Sequence, residues 1–203
     1  MIVEHGPLAP PLSSSSLTLP PTCATWQLGE ALKSNRTLEA LNLWRNDIGD
    51  EGAVRLAEAL ALNQGLTSLD LERNRIEDAG TTRLAYSLRG NRHIRVLNLR
   101  SNGFGTAGAL DLAVMLSYNT SLTDLALSFN EIGNEGGMKL AEGLKLNTTL
   151  VELDLCEAGL GGKSKACLRD AAADGLYLEL VVGSRPATRG GRASRPTTRG
   201  DQM

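Results

Sequence analysis

Leu38-Glu39-Ala40-Leu41-Asn42-Leu43-Trp44-Arg45-Asn46-Asp47-Ile48 decides the architecture of this chain. Its pattern, L-x-x-L-x-L-x-x-N-x-I, returns every 28 residues without a slip. Further copies begin at Leu66, Ile94, Leu122 and Leu150, and only the last loses its Asn, to Ala158. Leu41 and Leu43 are two apart, so on an extended segment they share one face and bury together. Ala40, Asn42 and Trp44 then face solvent. Asn46 stands where the chain leaves the strand, and its amide can serve main-chain groups that have no ladder partner. Asn46, Asn74, Asn102 and Asn130 should stack as a ladder that Ala158 ends.

The second half of each unit reads as a helix. Gly49-Asp50-Glu51-Gly52-Ala53 opens it with acidic residues in the first turn, where the helix dipole favours them. Leu56, Ala57 and Leu60 form one stripe, repeated at Leu84, Ala85, Leu88, at Leu112, Ala113, Leu116 and at Leu140, Ala141, Leu144. Asn63, Asn91, Asn119 and Asn147 follow the helices and are expected to end them in the left-handed conformation that Asn tolerates. Strands pack about 4.8 Å apart and helices roughly 8–10 Å apart. A stack of such units must therefore bend, with strands inside and helices outside. The expected fold is α/β: a right-handed leucine-rich-repeat solenoid, a horseshoe arc with a parallel sheet on the concave face and helices on the convex face.

Three segments are expected. Residues 1–22, with five prolines and the run Ser13–Ser16, read as a disordered arm. Residues 23–183 hold the repeat domain: a partial first helix, five repeats and a degenerate closing strand in which Leu178 and Val181 keep the 28-residue phase. Trp26 is the candidate N-terminal cap, the alternative being that the chain is part of a longer repeat protein. Residues 184–203 read as a disordered basic tail in which Ser-Arg-Pro-Ala-Thr-Arg-Gly is repeated as Ser-Arg-Pro-Thr-Thr-Arg-Gly. The tail carries five Arg against one Asp, +4, which leaves 16 basic and 22 acidic side chains, −6, elsewhere. A body of that sign disfavours nucleic acid, whereas the tail suits an acidic protein, RNA or a membrane surface, or is simply solvated.

Three cysteines without paired spacing point to a reducing compartment. No apolar run approaches the ~20 residues that span a bilayer, and the N-terminus lacks the pattern of a signal peptide. A cytoplasmic monomer is expected, with cilium or nucleus as alternative locations.

The 28-residue period, the segments Asn46–Ala53 and Asn130–Gly137, and the Leu-Ala-Glu-x-Leu helices resemble the ribonuclease-inhibitor-like leucine-rich repeat across about residues 26–182. The same subclass occurs in NLR immune receptors, in the Ran GTPase-activating protein and in ciliary repeat proteins. The resemblance implies a protein-binding scaffold. The alternatives are a GTPase activator of the Ran-directed type and a structural ciliary component.

No catalytic or metal-binding set emerges, and no cofactor or small-molecule substrate is expected. His5 and His93 have no partners suited to nucleophilic or metal chemistry. Gly159–Ser164 imitates a phosphate-binding loop, but Glu157 occupies the position of its first glycine. The candidate surface is the outward face of the strands: Asn42, Trp44, Arg45, Asp70, Glu72, Arg73, Asn98, Arg100, Asp124, Phe129, Glu152, Asp154 and Glu157. Trp44 and Phe129 are the candidate anchors, since aromatic side chains often dominate interface energy. The arginines lie toward one end and the carboxylates toward the other, which suits a protein partner with a basic segment.

Overall fold

The computed structural model describes residues 21–172 and 176–179. Helices and strands alternate: α1 (Pro21–Ser34), β1 (Ala40–Asn42), α2 (Gly49–Leu60), β2 (Ser68–Asp70), α3 (Asp78–Leu88), β3 (Val96–Asn98), α4 (Thr106–Tyr118), β4 (Asp124–Ala126), α5 (Gly133–Leu144), β5 (Glu152–Asp154), α6 (Gly162–Ala171) and β6 (Tyr177–Glu179). The six strands form one parallel sheet in sequence order. Register follows the repeat: Leu41 pairs with Leu69, Leu69 with Leu97, Leu97 with Leu125 and Leu125 with Leu153. Each helix packs on the next, so the chain is two layers wound as an α/β solenoid around one continuous core.

That core consists of the repeat's apolar positions. Leu69, Leu71, Leu97, Leu99, Leu125 and Leu127 are at most 1% exposed, as are Leu56, Leu84, Leu112 and Leu140 from the helices. Burial of such a side chain contributes about 1.5–3 kcal/mol. Small residues bring the helices close. At Gly143 in α5, an added Cβ would run into the backbone carbonyl of Ala113 in α4.

Two classes of Asn hold neighbouring repeats together. The expected ladder is present: Asn46 N–H donates to Asn74 Oδ1, Asn74 N–H to Asn102 Oδ1 and Asn102 N–H to Asn130 Oδ1, at 2.9–3.0 Å. The Asn residues after the helices depart from expectation. None of Asn63, Asn91, Asn119 and Asn147 is left-handed; Asn119 has φ −73° and ψ 133°. They are buried, and each Nδ2 donates to a carbonyl 31 residues earlier: Leu32, Leu60, Leu88 or Leu116. Each Oδ1 accepts the N–H of the residue three positions on, as Asn119 does from Leu122 at 2.8 Å. These amides close the helix ends of the preceding repeat and start the next strand.

The acidic residues of the first helical turn also act across repeats. Asp50 Oδ1 accepts the N–H groups of Glu77 and Gly80 at the start of α3, and Asp78 Oδ1 those of Gly105 and Gly108 at the start of α4. A carboxylate on unpaired N-terminal N–H groups is a helix cap, here supplied by the neighbouring repeat.

The ends differ from expectation in three respects. Helix α1 is described from Pro21 on, inside the arm expected over 1–22. Trp26, expected as the cap, is 49% exposed, while Leu41 of the first strand and Leu43 just after it are only half-buried. At the other end Leu178 pairs with Leu153, an offset three residues short of 28, so Leu178 takes the place expected of Val181. Helix α6 has 10 residues where α5 has 12, and the return to the sheet is shortened accordingly. Residues 1–20 and 180–203, with the expected arm, tail and Val181, lie outside the described residues.

Candidate interaction surface

Alternation along each strand sends residues such as Asn42, Asp70, Asn98, Asp124 and Glu152 to the concave side of the sheet, opposite the leucines. At the strand exits the backbone turns sharply. Arg45, Arg73, Ser101, Phe129 and Glu157, equivalent in the repeat, all have φ between 49° and 58°. Four of these keep their N–H in the ladder, as Phe129 does with the Cys156 carbonyl at 2.9 Å. After Arg73, Ser101 and Phe129 the next residue is an Asn whose Nδ2 donates to a carbonyl of the preceding repeat. A positive φ is rarely adopted by a bulky residue. Phe129 adopts it and is 55% exposed.

Trp44 and Phe129 are thus both on the surface, Trp44 at 46% exposure. Arg45, Arg73 and Glu157 are exposed, and Asp70, Glu72, Asn98, Arg100, Asp124 and Glu152 are partly buried. Of these, Asp70, Asn98, Arg100, Asp124 and Glu152 line a groove of about 340 Å³ between β2 and β5, together with Val96, Ala126 and Asp154. Asn98 Nδ2 donates to Glu72 Oε2 at 3.2 Å across adjacent strands.

Asp154 is not an open acceptor on that face. It is 4% exposed, and Arg100 reaches over β4 to it with Nε 2.8 Å from Oδ2 and Nη2 on the same oxygen. Ser128 Oγ donates to Oδ2 at 3.0 Å and the Cys156 N–H to Oδ1 at 3.0 Å. Burial pushes the Asp154 carboxyl up, but the Cys156 N–H, the Arg100 charge and the Ser128 hydroxyl outweigh it and hold the group below the usual aspartate range. Arg100 can lie flat because Ala126 and Ser128 beneath it are small. The expected separation of arginines from carboxylates is therefore partly cancelled within the molecule. Cys156, at an outward strand position in sequence, is also buried.

The convex face carries two aromatics that the repeat pattern did not single out. Tyr86 is 71% exposed and Tyr118 58%, with the Arg89 guanidinium 4.7 Å from the Tyr118 ring centre. They border a shallow hollow of about 650 Å³ at Gly90, where a Cβ would meet nothing within 4 Å.

The phosphate-loop look-alike is occupied by its own neighbour. Asn134 Oδ1 accepts the Gly161 N–H and the Ser164 hydroxyl at the start of α6, where an anion would have to sit. Among the described residues no group of three His, Cys, Asp or Glu could hold a metal ion, and no helix is long and apolar enough to cross a membrane.

Comparison with known proteins agrees with this geometry. Residues 34–57, 62–85, 90–113 and 118–141 match the family model described as Leucine Rich repeat. The chain is a leucine-rich repeat protein. Its 28-residue units, each with a full helix on the convex layer, are of the ribonuclease-inhibitor-like type. A structure of leiomodin-1 described as Actin-Binding Site 2 is similar to this leucine-rich repeat protein, with a TM-score of 0.61 and 27% identity over 71% of this chain and 85% of that one. The tropomodulin C-terminal domain of Caenorhabditis elegans aligns with a TM-score of 0.62 and 16% identity, over 74% of this chain and 90% of that one. No curated protein sequence matches the chain.

Proposed function

We propose that this domain is a non-enzymatic protein-binding module whose partner docks on the concave strand face, and that actin is the first partner to test. The observation that carries the reading is the pair of exposed aromatics, Trp44 and Phe129, at the strand exits of the first and fourth repeats of a sheet that also carries a polar groove between β2 and β5. Large aromatic side chains held at a surface beside directional polar groups are what an interface uses as anchors. Phe129 sits there in a backbone conformation that disfavours it, so packing within the fold does not explain its identity. Arg45, Arg73, Asp124, Glu152 and Glu157 supply orientation at the rim. Actin enters because the leiomodin-1 domain, 27% identical, is described as an actin-binding site.

Titration of monomeric actin with the full chain tests this, read by sedimentation or by interferometry. The expected result is saturable binding in the micromolar range, weakened at least tenfold by joint Trp44→Ala, Arg73→Ala and Phe129→Ala substitution. No binding at tens of micromolar removes actin. Binding that the triple variant leaves unchanged removes the concave face.

A further inference from the structure

We propose that the duplicated Arg-rich segment, residues 184–203, docks in cis on the concave groove of its own domain and competes with the partner for it. The inference rests on the concave face being a docking surface and adds an internal occupant to it. Three observations lead there. Among the described residues, the groove between β2 and β5 is lined by Asp70 and Asp124 as well as by Asp154, whose charge Arg100 already meets. The segment carries Arg185, Arg189, Arg192, Arg195 and Arg199 against one Asp. It also starts five residues after Glu179, the last described residue of β6, which is in register with Asp154.

Reach and charge both fit. From β6 back to β2 is four strand spacings, roughly 19 Å. The six residues from Glu179 to Arg185 span about 20 Å when extended, so Arg185 and Arg189 can address Asp124 and Asp70. Arg185 and Arg195 begin equivalent Arg-Pro-x-Thr-Arg units, which gives the groove two interchangeable ligands. A short tether supplies an effective concentration of order millimolar. An attraction too weak to register with a free peptide therefore still populates the docked state in cis. It is electrostatic, and must fade as salt shortens the screening length from about 10 Å at 0.1 M to about 3 Å at 1 M.

The experiment compares backbone amide spectra of three proteins at about 50 mM salt: the full chain, the chain ending at Gly183, and the full chain with all five tail arginines changed to Gln. Docking predicts that the amides of Asp70, Asn98, Asp124 and Glu152 shift between the full and shortened chains. It further predicts that the Arg→Gln protein overlays the shortened one, and that the differences collapse in about 1 M NaCl. Spectra that coincide on the concave face, or differences confined to the convex helices, overturn the proposal. The reading needs no partner. Failure here leaves actin binding untouched, and failure of actin binding leaves these shifts untouched.

Discussion

The guanidinium of Arg100 crosses the fourth strand and binds the carboxylate of Asp154, 54 residues further along the chain. The contact ties the third repeat to the fifth over the heads of Ala126 and Ser128. Breaking a largely buried pair leaves one charge uncompensated, but Arg100 is 28% exposed and can recruit water. Asp154→Asn is expected to destabilise the domain by about 1–3 kcal/mol, seen as a lower urea midpoint. The pH dependence follows from the lowered carboxyl. Its contribution is complete above the ordinary aspartate value near 3.9 and is lost as pH falls through the lower folded value. Asp154→Asn should flatten the acid limb of the stability curve below about pH 4, and an unchanged limb would show that the pair contributes nothing.

Asn119 separates two accounts of how the helices end. A left-handed stop would welcome glycine, whereas an amide that pins the Leu88 carbonyl and receives the Leu122 N–H cannot be replaced by it. Asn119→Gly removes those bonds and leaves buried groups unpaired, at about 1–3 kcal/mol for each orphan. Thermal denaturation should therefore show a large loss. A neutral result would restore the left-handed explanation.

Thr81, fully buried in α3, has a hydroxyl with no hydrogen-bond partner among the described residues. Equivalent positions hold Ala53, Ala109 and Gly137. Thr81→Val keeps the shape and removes the buried polar atom, so it should raise stability by about 1 kcal/mol. A loss of similar size would mean that the hydroxyl has a partner after all.

Phe129 offers a test in which folding and binding part company. Asn is at ease with positive φ and Phe is not. Because the Phe129 ring is 55% exposed, little packing is lost on its removal. Phe129→Asn should leave stability unchanged or raise it by about 0.5–1 kcal/mol, while weakening partner binding. Equal loss of both would make Phe129 a structural residue.

The repeat made most of the fold legible because one constraint, leucines on one side of a short strand, recurs in phase from Leu41 to Leu153. Contacts that obey the repeat were legible too, such as the Asn46-to-Asn130 ladder. What escaped were the contacts between repeats that join positions out of phase. The pattern places Asp154 outward, and only the reach of Arg100 across small residues explains its burial. Asp50 and Asp78 look like ordinary first-turn acids of their own helices, yet they cap the next ones. The closing strand slipped by three residues because α6 is short, which a degenerate tail sequence does not disclose. Tyr86 and Tyr118 sit on helix faces that the leucine stripe leaves unconstrained. The candidate site was legible as a face and not as a set of contacts, since outward positions are free to vary while inward ones are not.

The most direct test of the concave-face account is hydrogen–deuterium exchange of the chain alone and with saturating actin. Docking on the strands predicts slowed exchange in the strand-exit segments 44–47, 72–75, 100–103 and 128–131, with the convex helices around Tyr86 and Tyr118 unchanged. Protection confined to those helices, with the strand exits exchanging as before, would contradict it.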